Sequence, residues 1–257
     1  MTQPSIAGTR LTASAYAAHL DADLTALLEA STDLAAAVPG CPGWTVADLD
    51  SHVLGVYRHK SVALRTGTAP PPREGGDWGV VAEGADVRAE LSAAYADLRS
   101  LLAADPGTAT WAWWPGEQTG GFWQRRMAQE TAVHRWDAES AVHGPDDAAP
   151  VAEDLALDGV DEILGWLRWP WDEVQADASG QRVLVSAGEV SWLVTLNATS
   201  VDVVAGSADS DADALLAGEP SGLLLHLWGR PGEHGIAELG DATALRLLRA
   251  RLAEAAG

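Results

Sequence analysis

The stretch Glu130-Thr131-Ala132-Val133-His134-Arg135-Trp136-Asp137 places a carboxylate and an imidazole four residues apart. In an α-helix, residues at this spacing lie on one face, one turn apart. At about 100° per residue, one narrow sector of a helical wheel contains Trp123, Met127, Glu130, His134, Ala138 and Ala141. Two ionisable groups therefore lie within the apolar stripe of a predicted helix. There, a charge needs an ion-pair partner, hydrogen bonds or a metal ion.

The sequence before this stretch predicts three further helices. Proline and glycine separate the four predicted segments, which are Leu11 to Val38, the segment from Trp44 to Arg65, Ala85 to Ala104, and Gly121 to Val142. In the second segment, Thr45 followed by Asp48 resembles a capping box. Four amphipathic helices joined by such loops are typical of a four-helix bundle. We expect this bundle to form an N-terminal domain over residues 1–148.

The second half has a different pattern. A helix is predicted from Val151 to Leu167, followed by short β-branched runs that alternate like antiparallel strands. The predicted strands are Arg182 to Ser186, Val190 to Leu196, Ser200 to Val204, Asp213 to Ala217 and Ile236 to Leu239. Two further helices are predicted at Gly222 to Trp228 and Ala242 to Ala255. The expected fold class is thus an α-helical domain followed by a small α+β domain over residues 149–257.

Composition disfavours several functions. The 257-residue chain has a formal charge of −21, which would repel nucleic acid phosphates and an anionic membrane surface. No apolar run approaches the roughly 18 residues that span a bilayer. The single cysteine, Cys41, cannot form an internal disulfide, and no secretory signal is visible, so we expect a cytoplasmic protein. Cys41 lies in a turn between prolines and glycines, where we interpret it as a small apolar filler.

His52, on the second predicted helix, is the best candidate for a third ligand beside Glu130 and His134. One histidine facing a Glu-x-x-x-His pair would give a site with an open position, which is typical of catalytic zinc, with nickel, cobalt or iron as alternatives. The spacing alone favours the alternative of a buried Glu–His hydrogen bond and no metal. His59 competes with His52 for the role. Asp137 either orients His134 from behind or forms a salt bridge with a nearby arginine.

Two groups of motifs resemble a known family. The segments Pro42 to Leu49 with His52, and Arg126 to Glu139, resemble the metal-binding N-terminal domain of mycothiol-dependent maleylpyruvate isomerases, within the DinB-like superfamily. In the second half, three segments are similar to the C-terminal domain that accompanies it in actinobacterial proteins. These segments are Asp158 to Glu162, Leu223 to Arg230 and Gly240-Asp241.

The resemblance implies a DinB-like bundle that binds Zn²⁺ through His52, Glu130 and His134. It also implies mycothiol as a thiol cosubstrate, used to isomerise a maleyl keto acid or to conjugate a small electrophile. A positive clamp for an anionic substrate is expected near the metal, with Arg230 and Arg126 as candidates. The alternatives are a non-catalytic metal-binding or thiol-binding regulatory protein, or a binding module without metal.

The chain contains 12 tryptophans, and several crowd the region before the fourth helix. Two interpretations are open for these side chains: they line an apolar pocket entrance at the metal, or they pack in the core and loops. The residues are Trp111, Trp113, Trp114 and Trp123.

Overall fold

The computed structural model describes residues 6–72, 77–169 and 171–256. These residues form two compact units. The first is Leu11–Ala149, and the second combines residues 150–256 with residues 6–10. The N-terminal residues 6–10 therefore belong with the second unit, although the chain continues from them directly into the first.

The first unit is a four-helix bundle of α1 (Ala13–Ala30), α2 (Val46–Thr66), α3 (Val87–Leu101) and α4 (Gly120–His143). Helix α1 packs on α4, α2 packs on α3, and α2 also contacts α4. The predicted bundle is confirmed, but the prediction that α1 extends to Val38 is wrong. The helix stops at Ala30 because the next residue, Ser31, turns its hydroxyl to the carbonyl of Leu27 and to the buried Asp50.

Helix α2 begins with the capping box that the sequence predicted. Thr45 Oγ1 accepts a hydrogen bond from the Asp48 N–H, and the Asp48 carboxylate accepts one from the Thr45 N–H at 2.8 Å. This reciprocal cap fixes the start of the helix, so the position of His52, one turn beyond Asp48, follows from it. Deeper in the bundle, the hydroxyls of Tyr57 and Thr131 lie 2.6 Å apart and join α2 to α4.

The loop before α3 approaches α2 closely at a pair of glycines. A Cβ atom on Gly79 would overlap the backbone carbonyl oxygen of Ser51, and one on Gly55 would lie 3.0 Å from the Gly79 nitrogen. Arg58 holds the same loop by donating hydrogen bonds to the carbonyls of Trp78 and Val80. The loop is therefore seated against the α2 turn that carries His52.

Helix α4 is buried around most of its circumference rather than along one stripe. Several of its buried polar side chains are paired within the first unit. Arg135, for example, donates to Asp23, to Glu139 and to the carbonyl of Ala149. A polar helix can be buried in this way only because its charges are paired.

The second unit is a five-stranded mixed sheet with three helices. Its elements are α5 (Glu153–Trp166), β1 (Ser179–Ala187), β2 (Val190–Asn197), β3 (Val201–Ala205), β4 (Ala214–Gly218), α6 (Pro220–Leu227), β5 (Ala237–Gly240) and α7 (Ala242–Ala256). The strand order is β3-β2-β1-β4-β5. The predicted α+β class is confirmed. The three runs expected to be antiparallel pair in that way as β1, β2 and β3. The next strand, β4, pairs with β1 in parallel, which the pattern of the sequence did not indicate.

Asp161 on α5 is buried and ties the N-terminal segment to the second unit. Its carboxylate accepts hydrogen bonds from the backbone N–H groups of Ile6 and Ala7 and from the Trp192 indole, at 2.9 to 3.2 Å. This network gives a structural role to Asp161, one residue of the Asp158 to Glu162 motif that carried part of the family resemblance.

A bilayer-spanning segment is not found in the described part of the chain, where every helix is too short or too polar.

The contact between the loop and α2 gives a testable prediction. Gly79→Ala should force the loop away from α2 and lower the free energy of unfolding by about 1–3 kcal/mol, since the added methyl group meets rigid backbone. Chemical denaturation measures the change. The matched control is Val80→Ala in the same loop, because the Val80 side chain is 62% exposed and its loss should change stability by less than about 0.5 kcal/mol. Equal stability of both variants would contradict the close contact.

Candidate metal centre

Three predicted ligands converge in the first unit. His52 of α2, and Glu130 and His134 of α4, each offer one ligand atom, and these atoms all lie within 4.8 Å of one another. His52 Nε2 is 3.2 Å from Glu130 Oε1, and His134 Nε2 is 3.5 Å from the same oxygen. One carboxylate oxygen therefore stands between two imidazoles that come from different helices.

Ring contacts and charge hold this arrangement in place. The rings of His52 and His134 lie edge to face with centroids 4.9 Å apart, and the Trp44 ring also contacts His52, at the same centroid distance. Arg126, one turn before Glu130, places Nη2 3.4 Å from Glu130 Oε2. The two oxygens of Glu130 thus face different partners.

The pKa values of the two α4 residues shift in opposite directions. Burial acts to raise the pKa of Glu130, but hydrogen bonds from His134 and His52 and the charges of His134 and Arg126 hold it well below its usual range. Burial acts to lower the pKa of His134, yet its bonds to Asp137 and Glu130 raise it. The surroundings therefore favour an ionised carboxylate at the centre of the cluster.

Asp137 lies behind His134. Its Oδ2 is 2.9 Å from His134 Nδ1, and its side chain is fully buried. Because an ionised carboxylate only accepts hydrogen bonds, this contact places a proton on Nδ1 and directs Nε2 toward Glu130 and His52. Of the two alternatives open from the sequence, the geometry matches the orienting role and not a solvated salt bridge.

Cys41 lies closer to this cluster than its expected role as an apolar filler suggests. Its thiol is 3.7 Å from Asp137 Oδ2, and Cys41, His134 and Asp137 form a second group whose ligand atoms lie within 4.8 Å of one another. The two groups share His134 through different ring nitrogens. The group with His52 borders an open cleft, because His52 is among the residues that line a cavity of about 520 Å³ together with Trp44, Ser51 and Val80.

The other candidates lie elsewhere. His59, the competitor of His52, has Nε2 3.0 Å from the Pro71 carbonyl and Nδ1 3.0 Å from Lys60 Nζ, and it belongs to neither ligand group. Arg230 lies in the second unit, where its side chain lines a cavity and donates to the Trp228 carbonyl.

The tryptophans before α4 pack against one another. Trp123 is fully buried and its indole donates to the Trp111 carbonyl, while Trp113 stacks edge to face on Phe122 and on Trp114. Among the described residues, the tryptophan that lines the cleft beside His52 is Trp44. The packing interpretation therefore fits these side chains better than a wall over the metal.

Comparison with known proteins identifies a family that the first unit matches. Residues 17–139 match the family model described as the mycothiol maleylpyruvate isomerase N-terminal domain, so the first unit belongs to that family, as the sequence motifs predicted. Searching the curated proteins gives no significant match.

Two solved structures share the fold. They are the crystal structures of the mycothiol-dependent maleylpyruvate isomerase and of a histidine-to-alanine mutant of it, with TM-scores of 0.61 and 0.62. Both are 12% identical to this chain, and the alignment covers 90% of this chain and 95% of theirs. At this identity the likeness shows the fold, which extends over both units.

The position of Asp137 behind His134 leads to a second prediction. Asp137→Asn should weaken Zn²⁺ binding by roughly 10- to 100-fold without abolishing it, because the amide no longer fixes the orientation of the imidazole as a carboxylate does. Competition with a chromogenic chelator measures the affinity. Asp147→Asn, which removes the same charge from an exposed position beyond α4, should leave the affinity unchanged. An equal loss in both variants would show that only net charge matters.

Proposed function

We propose that this protein is a metal-dependent enzyme that uses mycothiol to isomerise or conjugate a small electrophile. The observation that carries the proposal is the convergence of His52, Glu130 and His134 within a domain of the mycothiol maleylpyruvate isomerase N-terminal family. The solved structures of similar fold are named as mycothiol-dependent enzymes, which supports the same thiol here.

The three residues fit a divalent transition metal, with Zn²⁺ as the expected ion. Two imidazole nitrogens and one carboxylate oxygen are the donors of many catalytic zinc sites, in which a fourth position stays open. A bound cation would also compensate the negative charge of the ionised Glu130. It would take the place of a proton on His134 Nε2. When bound, such an ion lowers the pKa of a coordinated thiol, so that the thiol becomes a nucleophile at neutral pH.

The residues around the three ligands have positioning roles in this proposal. Asp137 keeps His134 in the tautomer that presents Nε2, and Trp44 packs against the His52 ring. Arg126 is 4% exposed and contacts Glu130. We therefore assign it the task of holding that carboxylate, rather than the direct contact with substrate considered from the sequence. Arg230 stays a proposed anion-binding residue.

For a maleyl keto acid, the thiolate sulfur would bond to one carbon of the conjugated double bond, and the electron pair would move onto the carbonyl as an enolate. Rotation about the new single bond and cleavage of the carbon–sulfur bond would return the trans alkene and the thiolate. With a different electrophile, the same sulfur would displace a leaving group and keep the new bond. The open cleft beside His52, lined by Trp44 and Val80, offers room for either substrate.

The proposed cosubstrate also has consequences for the source and the cellular location of the protein. Mycothiol is the low-molecular-weight thiol of actinobacteria, so an actinobacterial source and a cytoplasmic location follow from the proposed cosubstrate. Its partners would be small molecules and not nucleic acid or membrane, as the charge of −21 also favours.

Alanine variants of the three ligands give the third prediction. His52→Ala, Glu130→Ala and His134→Ala should each lose most of the zinc that the unmodified protein retains after zinc-replete purification, together with mycothiol-dependent turnover. Elemental analysis measures the metal, and assays with maleylpyruvate and a panel of electrophiles measure turnover. His143→Ala, at the exposed end of the same α4, is the matched control and should keep both.

Further outcomes of this experiment separate the alternatives. Full turnover in a variant that lacks all three ligands would refute the mechanism. Zinc retained in His52→Ala but lost in Cys41→Ala would assign the metal to the group of Cys41, His134 and Asp137 instead. Stoichiometric zinc without turnover on any electrophile, with a protein partner that co-purifies, would support a regulatory protein.

A further inference from the structure

The second unit contains a cavity of about 440 Å³ between α6, α7 and β4. Its apolar wall consists of five leucines, namely Leu216, Leu227, Leu245, Leu248 and Leu252. A volume of this size lies in the range of pockets that bind small molecules, which are mostly apolar with a few polar groups. The size and the lining therefore match those of small-molecule sites.

The polar part of the lining is positively charged. His226, Arg230 and Arg249 border the cavity, and the described residues that line it include no aspartate or glutamate. This contrasts with the whole chain, which has 37 acidic residues against 16 lysines and arginines. Two guanidinium groups at one apolar cavity of such an acidic protein favour an anionic ligand.

Arg249 forms an ion pair and still has guanidinium N–H groups that a ligand can use. Glu238 of β5, which does not line the cavity, forms an ion pair with Arg249 and lies 3.4 Å from His226 Nε2. In the described part of the chain, this is the one ion pair or hydrogen bond of Arg249, and it uses Nη2. A guanidinium carries five N–H donors, so four of them remain for a ligand.

His226 adds a polar group without adding charge. Burial lowers the pKa of His226, and the charge of Arg249 acts in the same direction, while Glu238 opposes both. The imidazole is therefore neutral at pH 7 and leaves the arginines as the charged groups of the lining.

We propose that the second unit binds a small amphipathic carboxylate in this cavity. Its apolar body lies against the leucines and its carboxylate pairs with Arg249. The planar guanidinium matches a carboxylate in two parallel hydrogen bonds. A phosphate dianion fits less well, since Glu238 already neutralises one of the two arginines and would repel a second charge. The site shares Arg230 with the residues proposed for the reaction. Its carboxylate contact is assigned to Arg249, which has no role in that reaction, so the inference does not rest on the proposed function.

Decanoate is a suitable probe because it combines an unbranched apolar chain with one carboxylate. Isothermal titration calorimetry with the full-length protein should show saturable binding of decanoate and at least tenfold weaker binding of 1-decanol. Ala253→Trp, which places a bulky side chain at the exposed rim of the cavity, should abolish binding of both. Thermal unfolding of this variant checks that the fold is intact.

Variants of the charged residues test the role of Arg249. Arg249→Ala should weaken decanoate binding about tenfold or more, as expected for a lost charge-assisted hydrogen bond, and leave 1-decanol unchanged. Arg246→Ala, an exposed arginine one turn earlier on α7, is the matched control and should bind like the unmodified protein. Because Arg249→Ala also removes the ion pair of Glu238 with Arg249, the double variant Glu238→Gln with Arg249→Ala is needed. It should still bind decanoate more weakly than Glu238→Gln alone.

Several results would overturn the inference. They are no saturable decanoate binding, equal binding of 1-decanol, unchanged binding in Ala253→Trp, or equal effects of Arg249→Ala and Arg246→Ala. His52→Ala should keep full decanoate affinity, so failure of this site and failure of the proposed metal-dependent reaction are distinguishable.

Discussion

The candidate site of the first unit is organised around one half-buried carboxylate, that of Glu130. A carboxylate held largely away from water needs partners, so these must be in place when the bundle forms. Helix geometry alone supplies Arg126 and His134, which lie one turn before and one turn after it on α4. His52 is different, because it comes from α2 and reaches Glu130 only when α2 and α4 pack together. Folding the bundle and assembling the ligand group are therefore the same event.

Most of the fold was predictable because the chain separates its helices and strands with proline and glycine. Two features were not. Helix α1 was expected to continue to Val38, since alanine and leucine favour a helix there, but Ser31 is engaged by Asp50, 19 residues away. The parallel pairing of β1 with β4 also escaped prediction. Alternation of apolar and polar residues shows which face of a strand is buried, but not the direction of its neighbour.

The candidate site also combines features that local sequence patterns predict with contacts between distant parts of the chain, which they do not predict. The spacing of Glu130 and His134 was readable from a helical wheel, and the family resemblance named His52. The contact of Cys41 with Asp137 joins residues 96 positions apart, and no periodic pattern connects a turn to a helix across that distance. Composition suggested an inert cysteine, whereas the fold places its thiol beside the carboxylate that orients His134.

The cavity of the second unit shows why some functional features leave no trace in a sequence. Leu245, Leu248 and Leu252 recur at helical spacing and predict a buried stripe on α7, which the structure has. The stripe does not reveal that its leucines border a cavity of about 440 Å³. Where apolar atoms at this border meet water instead of protein, part of the hydrophobic stabilisation is not realised. An apolar ligand body would restore that stabilisation, and the arginines beside the leucines would add a charge requirement that packing alone does not explain.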